Sequence, residues 1–509
     1  MSFNPAMFVI DCHSFWGKRV DSDPRYTPDA LRENLTRHSI AAALAFSRRG
    51  PDYDSRSANR EVLAVRQETP WIQPIAVLDP RDAPGFPAEF EFCRDAGIHA
   101  FRFFPGQQNW SVQSTLFRSL LKIVRGTPSV LMFSSIDSYT GWEIPSQIAA
   151  VTADLGVPVV FVDTFYANMF EVLSTLREFP HTYIETNGLA TTEALDTVVG
   201  EVGPARILYG SSAPLRPMQK ALNQILDARI APADKAAILG GNAARLFHLE
   251  PTLWTGRPTL ANDQPMRFEE PAIDIHSHLG YWQRPPYEDY NPAGMLRRMK
   301  QFNIRTGIVS AYESMRYDIA AGNRAIAAAI EGHPELKGCV ELNPHQFELS
   351  CDEMDRYFAQ PNFVGVEIEL SHIPAPTAGP QVRKLIEAVA HRGKPILFLP
   401  AGGADASAER DLARAHPGLA FIHAHGFDPD WARVVADTPN IHVEFCLSRP
   451  SHHHLRECLD ILGPERILFG TDQTLLSVAS QVGLYLDAEL SPQERRLILH
   501  DNACRLYHL

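Results

Sequence analysis

The chain has 509 residues, with 47 Lys+Arg against 60 Asp+Glu and a formal net charge of −13; the length is ample for two large cores, and the acidic balance argues against a nucleic-acid partner, which calls for a basic surface. Seven cysteines without a CxxC pair fit a reducing, cytoplasmic setting rather than a disulfide framework. The start MSFNPAMFVIDCHSF lacks the regions of a signal peptide, and no stretch approaches 18 consecutive apolar residues, so no membrane span is expected.

In chain order, apolar strand-like runs alternate with helix-like ones. The first strand candidates are VIDCHSF, IAAALAF, IQPIAVLD, AFRFFP, SVLMFS, VVFVDTF, HTYIETN and RILYGSS. A stretch with four prolines follows, EPTLWTGRPTLANDQPMRFEEP (Glu250 to Pro271). Proline removes backbone donors and stiffens the chain, so residues 251–267 are expected to form an ordered linker. Eight further candidates come after it: AIDIHSH, TGIVSAY, KGCVELN, VGVEIEL, PILFLP, LAFIHAH, IHVEFCL and RILFGTD. Between them, NPAGMLRRMKQFN, GNRAIAAAIEGH and GPQVRKLIEAVAHRG place apolar residues at helical spacing.

The two halves repeat one another. GPARILYG (Gly203 to Gly210) and ILGGNAARLFHL (Ile238 to Leu249) return 260 positions later as GPERILFG and ILHDNACRLYHL. Six of eight and eight of twelve letters are identical. The openings match too, VIDCHSFWG against AIDIHSHLG. A period this long is a duplicated domain rather than a solenoid repeat. Alternating strand and helix implies a parallel sheet, and eight strands in roughly 250 residues suggest closure. The expected fold is α/β, two tandem (β/α)8 TIM-like barrels over 1–250 and 268–509. An open doubly wound sheet is the alternative, but no GxGxxG or GxxxxGK[ST] follows a strand.

In such barrels the chemistry sits at the carboxyl ends of the strands. In the second unit the polar residues there are His276, His278, Glu369, His425, Glu444 and Asp472. Histidines at i and i+2 on a strand share a face, so both imidazoles can reach one ion. Asp472 ends the last strand, which closes beside the first, and can complete the ligand set or act as a base for water.

The second unit resembles the amidohydrolase superfamily, in its amidohydrolase-2 branch. The matching stretches are IDIHSHLG, GNRAIAAAIEGHPELKGCVELNP, NFVGVEIEL, KPILFLPAG, FIHAHG, RILFGTD and ILHDNACRL; the first unit follows the same order with weaker motifs. The resemblance implies a (β/α)8 barrel, often with a divalent metal such as zinc, and a small-molecule substrate. By position, His276 and His278 would be strand-one ligands, Asp472 the strand-eight ligand or base, and His425 the strand-six histidine that polarises substrate or shuttles a proton. His423 is the alternative for that role, on the expectation that it shares the face of His425. The sequence departs from the branch at Leu399, where strand five usually ends in a histidine ligand. It also places Glu367 and Glu369 where a lysine and a histidine are usual, so Glu369 (or Glu367) can replace the missing ligand or bind substrate. Relatives that hydrolyse lactones without metal keep a metal-free route open.

The first unit keeps His13 but has Phe15 for His278, Phe165 or Asp163 at the strand-six position, Ser212 for Asp472, and Phe133 roughly opposite Leu399. It is expected to be a degenerate barrel, the rival being a second site on His13, Arg102 and Glu185. The two copies are expected to be able to pair as an intramolecular pseudo-dimer, as relatives do. The segment Gly280 to Tyr290 suits a structured lid, with Trp282 and Arg284 as substrate contacts. Arg316 is a candidate for binding a carboxylate, Glu444 for contacting substrate, and Ser451 to His454 for lining the mouth. Cys446 is the one cysteine near the expected pocket. No GxSxG elbow appears. The expected activity is hydrolysis of an amide, imide or lactone by metal- or Asp-activated water. The alternatives are metal-dependent non-oxidative decarboxylation of an aromatic or unsaturated acid, and a non-catalytic pseudoenzyme.

Overall fold

The computed structural model describes residues 7–18, 25–135, 144–282, 289–373, 375–400, 405–426 and 428–509. The chain divides into two compact units, Met1–Pro265 and Met266–Leu509. The first contains β1 (Ile10–Trp16), β2 (Ala42–Ser47), β3 (Ile72–Val77), β4 (Ala100–Arg102), β5 (Val130–Ser134), β6 (Val159–Val162), β7 (Thr182–Glu185) and β8 (Ile207–Leu208). The second contains β9 (Ala272–Leu279), β10 (Ile304–Ala311), β11 (Leu336–Glu341), β12 (Phe363–Glu369), β13 (Ile396–Leu399), β14 (Phe421–His423), β15 (Ile441–Glu444) and β16 (Ile467–Leu468). Each set forms one parallel sheet in which every strand pairs with its neighbour in sequence.

Backbone bonds bring the first and last strands together: Cys12 N to Tyr209 O at 3.0 Å in one unit, and Ile275 N to Phe469 O at 3.1 Å in the other. Both units are thus (β/α)8 barrels, as expected. Strands covered on both faces must be apolar throughout, which explains why β2 (AALAFS) is buried at every position. Helix starts repeat as well. Asp54 accepts from Arg56 N and Ser57 N to open Ser55–Glu68, and Asp318 accepts from Ala321 N to open Ile319–Ile330, each satisfying otherwise orphaned donors.

Two apolar layers form in each unit. In the second, one lies between sheet and helices. The other fills the barrel interior with Ile273, Ile275, Ile308, Leu397, Leu399 and Ile422, closed by Ala503 and Tyr507 of the last helix. Alternate residues along each strand therefore feed alternate layers, and the polar strand ends are left above the inner one. Of the expected linker, Pro251–Leu253 is a 3-10 turn. Trp254 stacks on Phe8 at 5.2 Å, Arg257 covers Trp71 at 3.9 Å, and Leu260 bridges Met7, so these residues pack on the first unit.

Candidate active site at the mouth of the second barrel

Strand β9 delivers His276 and His278, both buried, with their Nε2 atoms 3.1 Å apart. Each ring is held by its other nitrogen, His276 Nδ1 by Glu444 Oε1 at 2.9 Å and His278 Nδ1 by Ser310 Oγ at 2.8 Å. Asp472 Oδ1 lies 3.3 Å from His278 Nε2, and Glu367 Oε1 lies 3.9 Å from His276 Nε2. Asp472 is brought there by a left-handed residue (φ +53°) and by its N–H to the His276 carbonyl at 2.7 Å. Below it, Asp274 accepts from Thr471 N (3.0 Å) and Thr471 Oγ1 (2.5 Å), which ties the end of strand eight to strand one.

Glu444 is fully buried and its carboxylate is saturated: besides His276 it accepts from His425 N at 2.7 Å and Cys446 N at 2.6 Å. It is therefore a positioning residue, not the substrate contact the sequence suggested. Burial opposes charge on both partners, but their attraction and hydrogen bond prevail. Glu444 is held down at about 2 and His276 is lifted to about 10.

The two glutamates of β12 are resolved by depth. Glu367 shares a donor cluster with His276 and His278, whereas Glu369 Oε1 accepts from Ser371 N at 2.7 Å and stands outside that cluster. Sequence reasoning missed Glu341, which pairs with Glu367 across β11 and β12. Neither of its carboxylate oxygens has a hydrogen-bond partner among the described residues. Burial and the charges of Glu367 and Glu369 push Glu341 well above the usual carboxylate range. Its strand-end carboxylate beside VGVEIEL was the available signal.

His425 and His423 do not share a face. His425 is left-handed (φ +60°), which breaks the alternation; its ring lies 5.0 Å from that of His276, tilted by 48°, and its Nδ1 donates to Cys446 O at 2.6 Å. His423 turns to the helix layer, where Nδ1 meets Glu409 Oε2 at 2.9 Å and the ring packs on Trp431 at 4.3 Å. Leu399 faces the inner apolar layer. Asn59 bonds the Val77 backbone as Asn323 bonds that of Glu341, so Arg102, paired with Val77, matches Glu367, paired with Glu341. Since Arg102 pairs with Met132 and Glu367 with Leu397, the counterpart of Leu399 by register is Ser134, not Phe133.

Farther out, Tyr312 packs on His278 at 4.8 Å and on Trp282 at 4.7 Å, and Arg316 lies 4.6 Å over the Trp282 ring. Arg284 and most of the expected lid lie outside the described residues. Of the SHHH run, His452 Nδ1 sits 3.7 Å from Asp487, and the helix His454–Leu462 begins at its last residue.

Two donor groups can be compared as metal ligands. His276, His425, Glu444 and Cys446 lie close together, but Glu444 and His276 Nδ1 already satisfy each other. The Cys446 Sγ is likewise engaged, lying 3.2 Å from Glu444 Oε1 and 3.3 Å from His276 Nδ1. The group His276, His278 and Glu367 fits better. Two imidazoles oriented through their far nitrogens present Nε2 to the same point, as metal-binding histidines do. There a buried Glu367 oxygen lacks any hydrogen-bond partner among the described residues, and nitrogen–oxygen donor sets of this kind suit a divalent cation.

Similar solved structures each span about half of the chain and have TM-scores near 0.4. A 2,6-dihydroxybenzoate decarboxylase from Rhizobium is 15% identical, covering 48% of this chain and 99% of its own, with a TM-score of 0.38. A dihydroxybenzoic acid decarboxylase from Polaromonas sp. JS666, with bound manganese and 2-nitroresorcinol, is 17% identical over 48% and 98%, with a TM-score of 0.40. A putative 2-pyrone-4,6-dicarboxylic acid hydrolase from Pseudomonas putida is 20% identical over 47% and 97%, with a TM-score of 0.38. No curated protein matches the sequence significantly. The amidohydrolase family model matches residues 19–249 and again 273–509, so the chain belongs to the amidohydrolase family, with the family's barrel present twice.

Proposed function

We propose that the second barrel is a hydrolase that cleaves an amide, imide or lactone bond of a small molecule. One observation carries this reading: the Nε2 atoms of His276 and His278 converge with carboxylate oxygens of Glu367 and Asp472 at the strand ends. His276, His278 and Glu367 would hold a divalent cation, with zinc the ion that best suits the donor set. When bound, the cation supplies Lewis acidity toward a carbonyl.

The chain's own groups do the rest. Asp472, beside His278, accepts the proton of the attacking water and passes it to the leaving group. Glu444 fixes the His276 ring and Ser310 the His278 ring, so both Nε2 atoms face the site, where the proton that His276 carries without a cation would be displaced on binding one. With Nδ1–H given to the Cys446 carbonyl, His425 offers a lone pair at Nε2 when neutral and a proton there only as imidazolium. It therefore serves to exchange a proton with substrate oxygen. Trp282 and Tyr312 supply an aromatic wall, and Arg316 over the Trp282 ring supplies a positive charge for a substrate carboxylate.

The test is metal analysis of the purified protein and of His278→Ala, with turnover of a panel of amides, imides and lactones. One equivalent of metal lost in the variant, together with water-consuming turnover, is expected. Equal and negligible metal in both would remove the metal from this reading and leave Asp472-activated water. Carbon dioxide released from an aromatic acid without uptake of water would sink the hydrolase reading in favour of decarboxylation.

A further inference from the structure

The duplication allows each strand end of the first barrel to be matched with its twin. Asn59 bonds Val77 N and O at 2.8 and 3.0 Å, and Asn323 bonds Glu341 N and O at 2.9 and 3.1 Å, so Val77 stands where Glu341 does. Val77 pairs with Arg102 and Glu341 with Glu367, which makes Arg102 the counterpart of Glu367. Asp163 N meets Glu185 Oε1 at 2.8 Å, as His425 N meets Glu444 Oε1, and both residues are left-handed. Asp163 thus replaces His425 and Glu185 replaces Glu444.

The first mouth still holds metal-like donors. His13, Asp163 and Glu185 lie within reach of one ion, with His13 Nδ1 3.6 Å from Glu185 Oε1. Against that stands Arg102, 2% exposed. Its Nη2 donates to Ser134 Oγ at 2.8 Å and lies 3.5 Å from Asp163 Oδ2. Its Cζ sits 4.9 Å over Phe104. Its Nε and Nη1 make no hydrogen bond among the described residues, so the group is held by charge and packing more than by a full set of hydrogen bonds. A buried guanidinium stays positive at neutral pH, and Ser212 Oγ bridges His13 Nδ1 and Asp163 Oδ1 at 3.1 Å each.

We propose that Arg102 is a built-in counter-cation that takes the place of the metal in the first barrel, so that His13, Asp163 and Glu185 bind no divalent ion. Two cations do not share one cluster of a buried and a part-buried carboxylate, and the position of Glu367, which would face an ion in the second barrel, is here taken by the cation itself. The inference concerns the first barrel and is independent of whether the second binds metal.

Two measurements test it. After chelation and reloading with zinc or manganese, the wild type should hold at most one equivalent, and the His276→Ala/His278→Ala variant none. Metal that persists in that variant and vanishes with His13→Ala overturns the inference; a metal-free wild type defeats only the metal reading of the second barrel. Second, Arg102→Met strands the part-buried Asp163 carboxylate beside the buried Glu185 and should lower the unfolding midpoint by roughly 10 °C, with Arg102→Met/Asp163→Asn recovering at least half. In the His276→Ala/His278→Ala background, excess zinc should raise the midpoint when Arg102→Met is added and leave it unchanged without that change. An Arg102→Met midpoint equal to wild type overturns the proposal. Where Arg102→Met does not fold, folding of the Arg102→Met/Asp163→Asn pair supports it and failure of that pair overturns it.

Discussion

The two barrels share a scaffold and differ in what occupies it. Asp11 and Asp274 sit at the same place, each accepting from a following histidine N–H and from a hydroxyl residue after the last strand. Burial raises both to about 6. His13 and His276 likewise lie beside Glu185 and Glu444. Around these fixed points the second mouth gathers Glu341, Glu367 and Asp472, while the first has Val77, Arg102 and Ser212. Phe15, at the position of His278, packs on Phe46 at 5.4 Å. One mouth is lined by carboxyl groups and two imidazoles, and the other carries its own cation and aromatic filling. In both units the Asp and Glu under the mouth tie neighbouring strands together, and they persist while the residues above them change.

The largest expected effect breaks the functional side of this contrast. Asp472→Asn should lower turnover by roughly 10²–10⁴-fold, the usual worth of a positioned base, with the unfolding midpoint little changed. Ser212→Asp, placing the same carboxylate in the first barrel, should add no activity. Equal turnover in Asp472→Asn and wild type would remove the base from the mechanism.

The next prediction tests the shared scaffold. Asp11→Ala and Asp274→Ala each strand several buried donors, so each should cost its own barrel about 2–3 kcal/mol in denaturant unfolding. A loss seen only for Asp274→Ala would mean that the first barrel no longer relies on this tie.

Glu444→Gln sharpens the contrast more gently. It keeps the shape but loses the charge that orients His276, and should weaken metal binding about 10–100-fold in a competition titration. Glu185→Gln should leave metal content unaltered.

The last contrast separates the units by acid sensitivity, and at neutral pH it vanishes. Burial, helped by the charges of Arg505 and Arg466, lowers His442 to about 3, whereas the corresponding position in β7 is Tyr183. Because the unfolded chain takes up this proton near the ordinary 6.5 and the folded one only near 3, stability falls as pH drops through that window. The slope is at most about 1.4 kcal/mol per pH unit. His442→Tyr should flatten the acid limb of the pH–stability curve; an unchanged limb would remove His442 as its source.

Much of this was legible in the sequence. Strand and helix periods, the 260-residue offset and the HxH with a terminal Asp were enough for two tandem barrels and for His276, His278 and Asp472 as neighbours. Those features are local, and barrel closure makes the first and last strands adjacent by topology alone. Side-chain direction failed where the backbone left the extended region. A period of two puts His423 and His425 together, but the left-handed turn at His425 sends one to the mouth and the other to Glu409.

Depth was likewise decided only by the tertiary structure. Glu367 and Glu369 share a face, and their sequence positions do not say which is level with the histidines; the stagger of tilted strands brings Glu367 there. The same stagger, repeated in the first unit, makes Ser134 rather than Phe133 the counterpart of Leu399 and Arg102 the counterpart of Glu367. The sequence by itself therefore determined the architecture and the residue types at the mouth. Which of them meet, and with what net charge, depended on how strands distant in sequence are aligned beside one another.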